Sequence, residues 1–304
     1  MGKRRLQNQF EYLLVRFLLA IFRALPLRAG LRLGPALGRL AQRFSSRLRR
    51  TGERNLQLAF PELSEQQRGD LLRGCFRNFG RLLAVFSHFN ASDPEKLKSV
   101  IVCEGLERID AARANGMGVI LFTGHLGAWE LTSFALSMFD QPLSFLVRRL
   151  DNPRIETLVD RARTRLGNRT IDKRAAAREM LQTLQSGKTL GILVDLNTHE
   201  REGIFVDFFG IPASTTFMLA KLAARTGAPV LPIFAPWDET RRRFVVKIGE
   251  PLSISRTGDE ARDVQELTQK FTTVIENYIR DYPDQWLWIH RRWKTRPPGE
   301  PEIY

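Results

Sequence analysis

The stretch Thr123-Gly124-His125-Leu126-Gly127-Ala128-Trp129-Glu130 holds one imidazole and one carboxylate in a His-x4-Glu spacing. The apolar run Gly118-Val119-Ile120-Leu121-Phe122 before it reads as a short buried strand, and an amphipathic helix is expected to begin near Gly127. In one continuous helix the two side chains would point roughly 140° apart, at about 100° per residue. They can meet only with His125 in the loop and Glu130 in the first helical turn, a geometry that the two glycines permit. The end of a strand is also where open α/β sheets place ligands. So placed, His125 would act as general base toward a substrate hydroxyl or amine. Glu130 would orient the ring and stabilise the imidazolium. The alternative is a helix start with an incidental histidine.

Several other chemistries lack their residues. There is no Gly-x-Ser-x-Gly elbow and no His-Glu-x-x-His. Gly187-Lys188-Thr189 imitates the end of a P-loop, but Gln182 interrupts the pattern and a strand follows where a helix is needed. Asp195, His199 and Glu202 could hold a metal in principle, yet an ordinary polar loop explains them better, and no metal site is expected. Cys75 and Cys103 cannot build a disulfide scaffold and lack zinc-site spacing, so they read as small core residues on a reducing, cytoplasmic side. With no nucleophile near His125, direct acyl transfer fits the pair. The acceptor is deprotonated, it attacks a thioester carbonyl, and the oxyanion is stabilised. That route requires no bound cofactor.

Positioning such a pair calls for a sheet. From Val100 onward β-rich runs alternate with helical stretches. Strands are expected at 100–102, 118–123, 143–147, 170–171, 189–194, 204–209, 229–234 and 244–248. Helices are expected at 106–114, 128–138, 153–165, 174–186, 215–226 and 261–281. The fold class is therefore α/β, a mostly parallel sheet flanked by helices. Ser64-Glu65-Gln66-Gln67 reads as a capped helix start, followed by Leu71, Leu72, Phe76, Phe79, Leu82 and Leu83 at core spacing. His88 ends that helix as a packed or capping residue. The chain divides into basic amphipathic helices over 1–50, a helical lead-in over 51–98 with its boundary near Asp93–Lys98, and an α/β domain over 99–304.

Charge is concentrated at one end. Residues 1–54 carry thirteen Lys or Arg against Glu11 and Glu53, a net of +11 out of the chain's +14. An anionic partner follows, either nucleic acid or a phospholipid leaflet. Phe10–Leu25 decides for the leaflet, being strongly apolar and carrying Arg16 and Arg23 on one helical face. It is short and charged for a transmembrane span, which needs about 20 apolar residues. A helix lying in or dipping into the interface fits, with Lys3, Arg4 and Arg5 at the phosphates. The segment lacks a secretory cleavage site, and its positive flanks favour the cytoplasmic side. A second basic helix over 31–50, with Arg32, Arg39 and Arg43, is either a solvated face or a further membrane contact.

His125–Glu130 resembles the His-x4-Asp/Glu signature of the glycerolipid acyltransferases, and more closely the lipid A biosynthesis late acyltransferases, the lauroyl and myristoyl transferases. The likeness continues through Asn55–Pro61, Arg148-Arg149-Leu150-Asp151-Asn152-Pro153, Gly191–Asp195, Phe208–Thr216, Thr226–Pro232 and Tyr282–Lys294, nearly the whole chain. The resemblance implies a glycerolipid acyltransferase-like fold on the cytoplasmic face of a bacterial inner membrane. It implies an acyl carrier protein or acyl-CoA as donor and a membrane glycolipid, a lipid A precursor, as acceptor. An anionic phospholipid surface is the other partner, and no nucleic acid is expected. Arg148, Asp195, Gly127 and Trp129 are then expected on the substrate side.

Arg148 would hold a phosphate or help the oxyanion, the alternative being a surface ion pair with Asp151. Asp195 would line the cleft or cap its loop. Trp286, Trp288 and Trp293 would form an interfacial belt or pack the last helix onto the sheet. Departures from the family's pattern, at Ala128, Arg149 and Asp195-Leu196-Asn197, bear on the acceptor. A phosphatidylinositol mannoside, a lysophospholipid or an aminolipid is the alternative there. A thioester hydrolase and a non-catalytic basic membrane-binding protein are rivals of other classes.

Overall fold

The computed structural model of the protein describes residues 2–89, 94–114, 116–173 and 176–304, with side chains from Arg5 onward. Asp93, residues 174–175 of one expected helix, and the Lys3 and Arg4 side chains lie outside the described residues.

Five helices come first: α1 (Gly2–Ala24), α2 (Leu27–Phe44), α3 (Ser46–Ala59), α4 (Glu65–Ser87) and α5 (Pro94–Lys98). The single helix expected over 31–50 is divided at Ser45 between α2 and α3. Helix α4 starts with the expected capping box, in which Ser64 Oγ accepts from Gln67 N–H and Gln67 Oε1 accepts from Ser64 N–H. His88 caps its other end and is buried. Helix α2 buries Gly30, Leu31, Gly34 and Gly38 on one face. A Cβ on Gly34 would lie 2.3 Å from the Gly80 carbonyl oxygen, so α2 and α4 touch backbone to backbone.

The α/β part follows as β1 (Ile101–Glu104), α6 (Leu106–Arg113), β2 (Ile120–Thr123), α7 (Trp129–Met138), β3 (Leu143–Val147), α8 (Pro153–Thr164), β4 (Arg169–Asp172), α9 (Ala176–Gln185) and β5 (Thr189–Leu193). Then come β6 (Gly203–Phe208), β7 (Ile211–Thr216), α10 (Met218–Thr226), β8 (Val230–Phe234), β9 (Trp237–Asp238), β10 (Arg243–Ile248) and α11 (Glu260–Asp281). Eight strands form one sheet in the order β1-β10-β8-β2-β5-β3-β4, with β9 on β10. Its pairs are parallel except β10 with β8 and β9, so the sheet is mixed and mostly parallel.

Strand β7 was not expected. Pro212 and the small polar residues after it weaken a strand pattern, and the segment reads as loop. Phe209 and Gly210, both at positive φ, form a two-residue turn that folds Ile211–Thr216 back onto β6 as a hairpin.

Alternation along the strands divides the interior. Ile120, Phe122, Leu190 and Ile192 pack with α3, α9, α10 and α11 on one face, while Leu121, Leu143, Phe145 and Ile233 pack with α7 on the other. The N-terminal helices share these cores: Leu56, Phe60 and Phe76 lie in the first, Phe22 and Leu31 in the second. Among the described residues no helix is long and apolar enough to cross a membrane.

Candidate active site

Strands β2 and β5 are parallel neighbours, with Thr123 opposite Leu193. His125 and Asp195 each stand two residues beyond those partners, at the same edge of the sheet. That shared offset brings them together across 70 residues of sequence. His125 Nδ1 lies 2.7 Å from Asp195 Oδ1, and His125 N–H donates to Asp195 Oδ2 at 2.7 Å. Trp286 Nε1–H donates to the same Oδ2 at 2.8 Å. Burial by itself would raise the pKa of Asp195, but the His125 ring and these donors outweigh it and bring it down to about 2. An ionised carboxylate only accepts, so Nδ1 carries the ring proton and Nε2 is left as the basic nitrogen.

The carboxylate on the His125 ring is thus Asp195 and not Glu130. Both oxygens of Glu130 are taken by Arg163 of α8, whose Nε and Nη2 donate at 2.9 and 2.6 Å. Glu130 sits in the first turn of α7 while His125 precedes that helix, and a guanidinium fork claims the carboxylate before the imidazole can. The carboxylate still lines the same cavity as His125.

The loop between β2 and α7 is gripped by the segment after α11. Gly127 N–H donates to the Gln285 carbonyl at 3.0 Å, Leu287 N–H to the His125 carbonyl at 3.1 Å, and Ala128 N–H to the Ala235 carbonyl at 2.8 Å. Asn78 of α4 donates to the Gly127 carbonyl at 2.8 Å. Gly127 has φ +63°, and a Cβ there would lie 2.1 Å from the Ala235 carbonyl oxygen. Its place is therefore in the turn itself, and both it and Asp195 are absent from the cavity lining where substrate binding was expected of them. Asn55 of α3 donates to the carbonyls of Trp288 and His290, both at 2.6 Å, and Tyr304 Oη donates to Asn55 Oδ1. His290 Nε2 in turn accepts from Asn197 N–H at 3.1 Å. Burial holds the His290 pKa down at about 4, so the ring is neutral.

Trp286, Trp288 and Trp293 are fully buried and form no interfacial belt. Their rings pack around Phe208 and Phe60, edge-on in most pairs, which is the packing alternative.

A cavity of about 580 Å³ opens beside His125. Trp129 lines it, with its ring centroid 5.1 Å from that of His125. Between α7 and the sheet the walls are Leu121, Leu136, Leu143, Phe145 and Ile233. Gly191 provides a stretch of floor without a side chain. Arg148, Arg149, Leu150, Asp151 and Lys173 line the same cavity. Arg149 pairs with Asp172 at 2.7 Å and Lys173 with Glu202 at 2.6 Å. Arg148 contacts Asp151 at 3.9 Å, with both side chains more than four-fifths exposed, a pair that contributes little. Arg163 and Asn78 escaped the sequence reading, and so did the contacts that Trp286 and Asn55 make at the site. Each acts through a contact between distant segments, and no local spacing announces it.

The bacterial lipid A biosynthesis acyltransferase family matches residues 2–295. The lipid A biosynthesis lauroyltransferase of Escherichia coli K12 is 31% identical over 90% of this chain and 88% of its own. The myristoyltransferase of the same organism is 26% identical over 88% and 82%. Its palmitoleoyltransferase is 27% identical over 90% and 87%. The chain belongs to the bacterial lipid A biosynthesis acyltransferase family. It is an acyltransferase.

Proposed function

We propose that the protein transfers a fatty acyl group from a thioester of acyl carrier protein or coenzyme A to a hydroxyl of a glycolipid, a lipid A precursor. The observation that carries this reading is the buried, ionised Asp195 on Nδ1 of His125, whose side chain lines a cavity with an apolar wall between α7 and the sheet. His125 Nε2 takes the proton of the acceptor hydroxyl as its oxygen attacks the thioester carbonyl. The C–O bond forms, the C–S bond breaks, and the thiolate leaves with the proton returned from the imidazolium. Asp195 fixes the tautomer and steadies the cation. Glu130, held by Arg163, shapes the cavity wall beside the base. No covalent acyl-enzyme and no bound cofactor enters this route.

The apolar slot over Gly191 suits the acyl chain, and Arg148 suits a phosphate of the acceptor. The relatives' names, all lipid A acyltransferases, support the acceptor.

The location proposed is the cytoplasmic face of a bacterial inner membrane, with α1 lying in the interface. Leu6, Phe10, Leu13, Leu14, Phe17 and Ile21 of α1 are exposed, and so are Leu33, Leu40 and Phe44 of α2. With a net charge of +11 over residues 1–54, an anionic phospholipid leaflet is the complementary surface.

The test is incubation of purified protein with an acyl thioester and a lipid A precursor in mixed micelles, read by mass spectrometry. One added acyl group per thiol released supports the reading. Thiol release with free fatty acid and unaltered lipid would establish a hydrolase instead. A product formed on phospholipid alone would move the acceptor.

A further inference from the structure

Helix α1 meets the mouth of the cavity through the Asn152 side chain. Asn152 is buried, and the two ends of its amide do different things. Its Oδ1 accepts from Arg154 N–H and Ile155 N–H and so caps α8. Its Nδ2 donates to the Asn8 carbonyl at 2.8 Å and to Glu11 Oε2 at 3.2 Å, both on α1. Beside it the Arg154 guanidinium lies 5.7 Å from the centre of the Tyr12 ring.

The helical period separates this contact from the membrane-seeking face. At about 100° per residue, Asn8, Glu11 and Tyr12 cluster on one side of α1. Leu6, Phe10, Leu13, Phe17 and Ile21 centre on the opposite side, and these are exposed. One face of α1 is thus free for a bilayer while the other packs on α4, burying Phe22, and touches α8. The residues immediately before Asn152 are Arg148–Asp151, which line the cavity. Within that segment Leu150 N–H donates to Glu156 Oε2 of α8 at 2.8 Å.

We propose that α1 is part of the acceptor site, and that Asn152 is a positioning residue coupling the seating of α1 on an anionic bilayer to the placement of the 148–151 mouth. This rests on the bilayer reading given above. Seated on the leaflet, α1 holds the mouth at the height from which a glycolipid head group enters, and Asn152 keeps Arg148 in register with it.

Asn152→Asp in the full chain separates the two jobs of the side chain. Aspartate caps a helix as well as asparagine does, so the start of α8 is retained. The donor toward α1 becomes an acceptor facing the Glu11 carboxylate and the Asn8 carbonyl. Two measurements are made with vesicles of phosphatidylethanolamine and phosphatidylglycerol, namely co-sedimentation and transfer kinetics to a lipid A precursor carried in them. The expected result is unchanged sedimentation, an acceptor KM raised about tenfold, the scale of one lost charge-assisted hydrogen bond, and kcat within twofold. Adding Glu11→Gln provides an amide that donates to the new carboxylate, and KM recovers. Three results overturn the coupling: an unaltered KM, a parallel loss of sedimentation and of thermal stability, or no recovery in the double variant. Failure of the wild-type protein to sediment would instead overturn the bilayer reading, and the coupling with it, before any substitution is compared.

Discussion

Replacing Asp195 by Asn tests the orientation of the imidazole, because the site dictates which way the new amide points. The Oδ2 position faces two donors, His125 N–H at 2.7 Å and Trp286 Nε1–H at 2.8 Å. The Oδ1 position faces one ring nitrogen, His125 Nδ1 at 2.7 Å. An NH2 group at Oδ2 would confront both donors, so the amide oxygen goes there and the NH2 group turns toward Nδ1. Nδ1 must then accept, the ring proton moves to Nε2, and the catalytic nitrogen loses its lone pair. In a serine-protease triad the same tautomer error costs about 10⁴ in kcat. A loss of about 10³ to 10⁴ is expected here, or about 4–5.5 kcal/mol at 1.36 kcal/mol per decade. The fold should survive, since both donors at Oδ2 stay satisfied. The assay is the initial rate of acylated-lipid formation at saturating acyl thioester, with near-UV circular dichroism to verify packing. A folded variant that loses less than tenfold would refute the role given to Asp195.

Other outcomes follow from the same contacts. Gly127→Ala forces a side chain onto a left-handed residue and against the Ala235 carbonyl, so it should cost about 2–4 kcal/mol in urea unfolding and more than a hundredfold in rate. Unaltered values would show that the turn is not fixed as described. His290 has a pKa of about 4 in the fold against about 6.5 in an unfolded chain. Between those values the unfolded state binds more protons, so stability falls as pH drops from about 6.5 to about 4 and levels off below. Melting temperatures across that window should show this slope, and His290→Gln should flatten it; an equal slope in both would assign it elsewhere. Gly191→Ala puts a Cβ 2.8 Å from Leu143 Cδ1, so the Leu143 side chain must shift and the cavity that both residues line is narrowed. Transfer from short-chain thioesters should then be favoured over long-chain ones by tenfold or more, and an unmoved preference would place the chain elsewhere.

Much of this architecture is legible in the sequence because it rests on local signals. Strand–helix alternation from Val100 gives the α/β class, and the Ser64–Gln67 capping box appears where its spacing says. The parts that are not legible depend on which strands become neighbours. His125 and Glu130 are close in sequence, and that closeness suggests a pair. Strand β5 inserts beside β2 and delivers Asp195 instead, while α8 brings Arg163 to Glu130. Sequence adjacency is a poor guide where the first helical turn points away from the loop before it. The tryptophans near the C-terminus left two readings open for a similar reason, and the packing one holds. Set among Arg291, Arg292 and Lys294 they have the composition of an interface belt, but each ring is enclosed, and Arg292 is buried with them, donating to the Ser214 carbonyl. The hairpin of β6 and β7 was hidden by Pro212.

The central claim is that His125, held by Asp195, is the base that activates the acceptor. Purified His125→Ala, given an acyl thioester and a lipid A precursor, measures it most directly. The account predicts acylated lipid at less than a thousandth of the wild-type rate in a protein that still melts cooperatively. A rate within tenfold of wild type would contradict it.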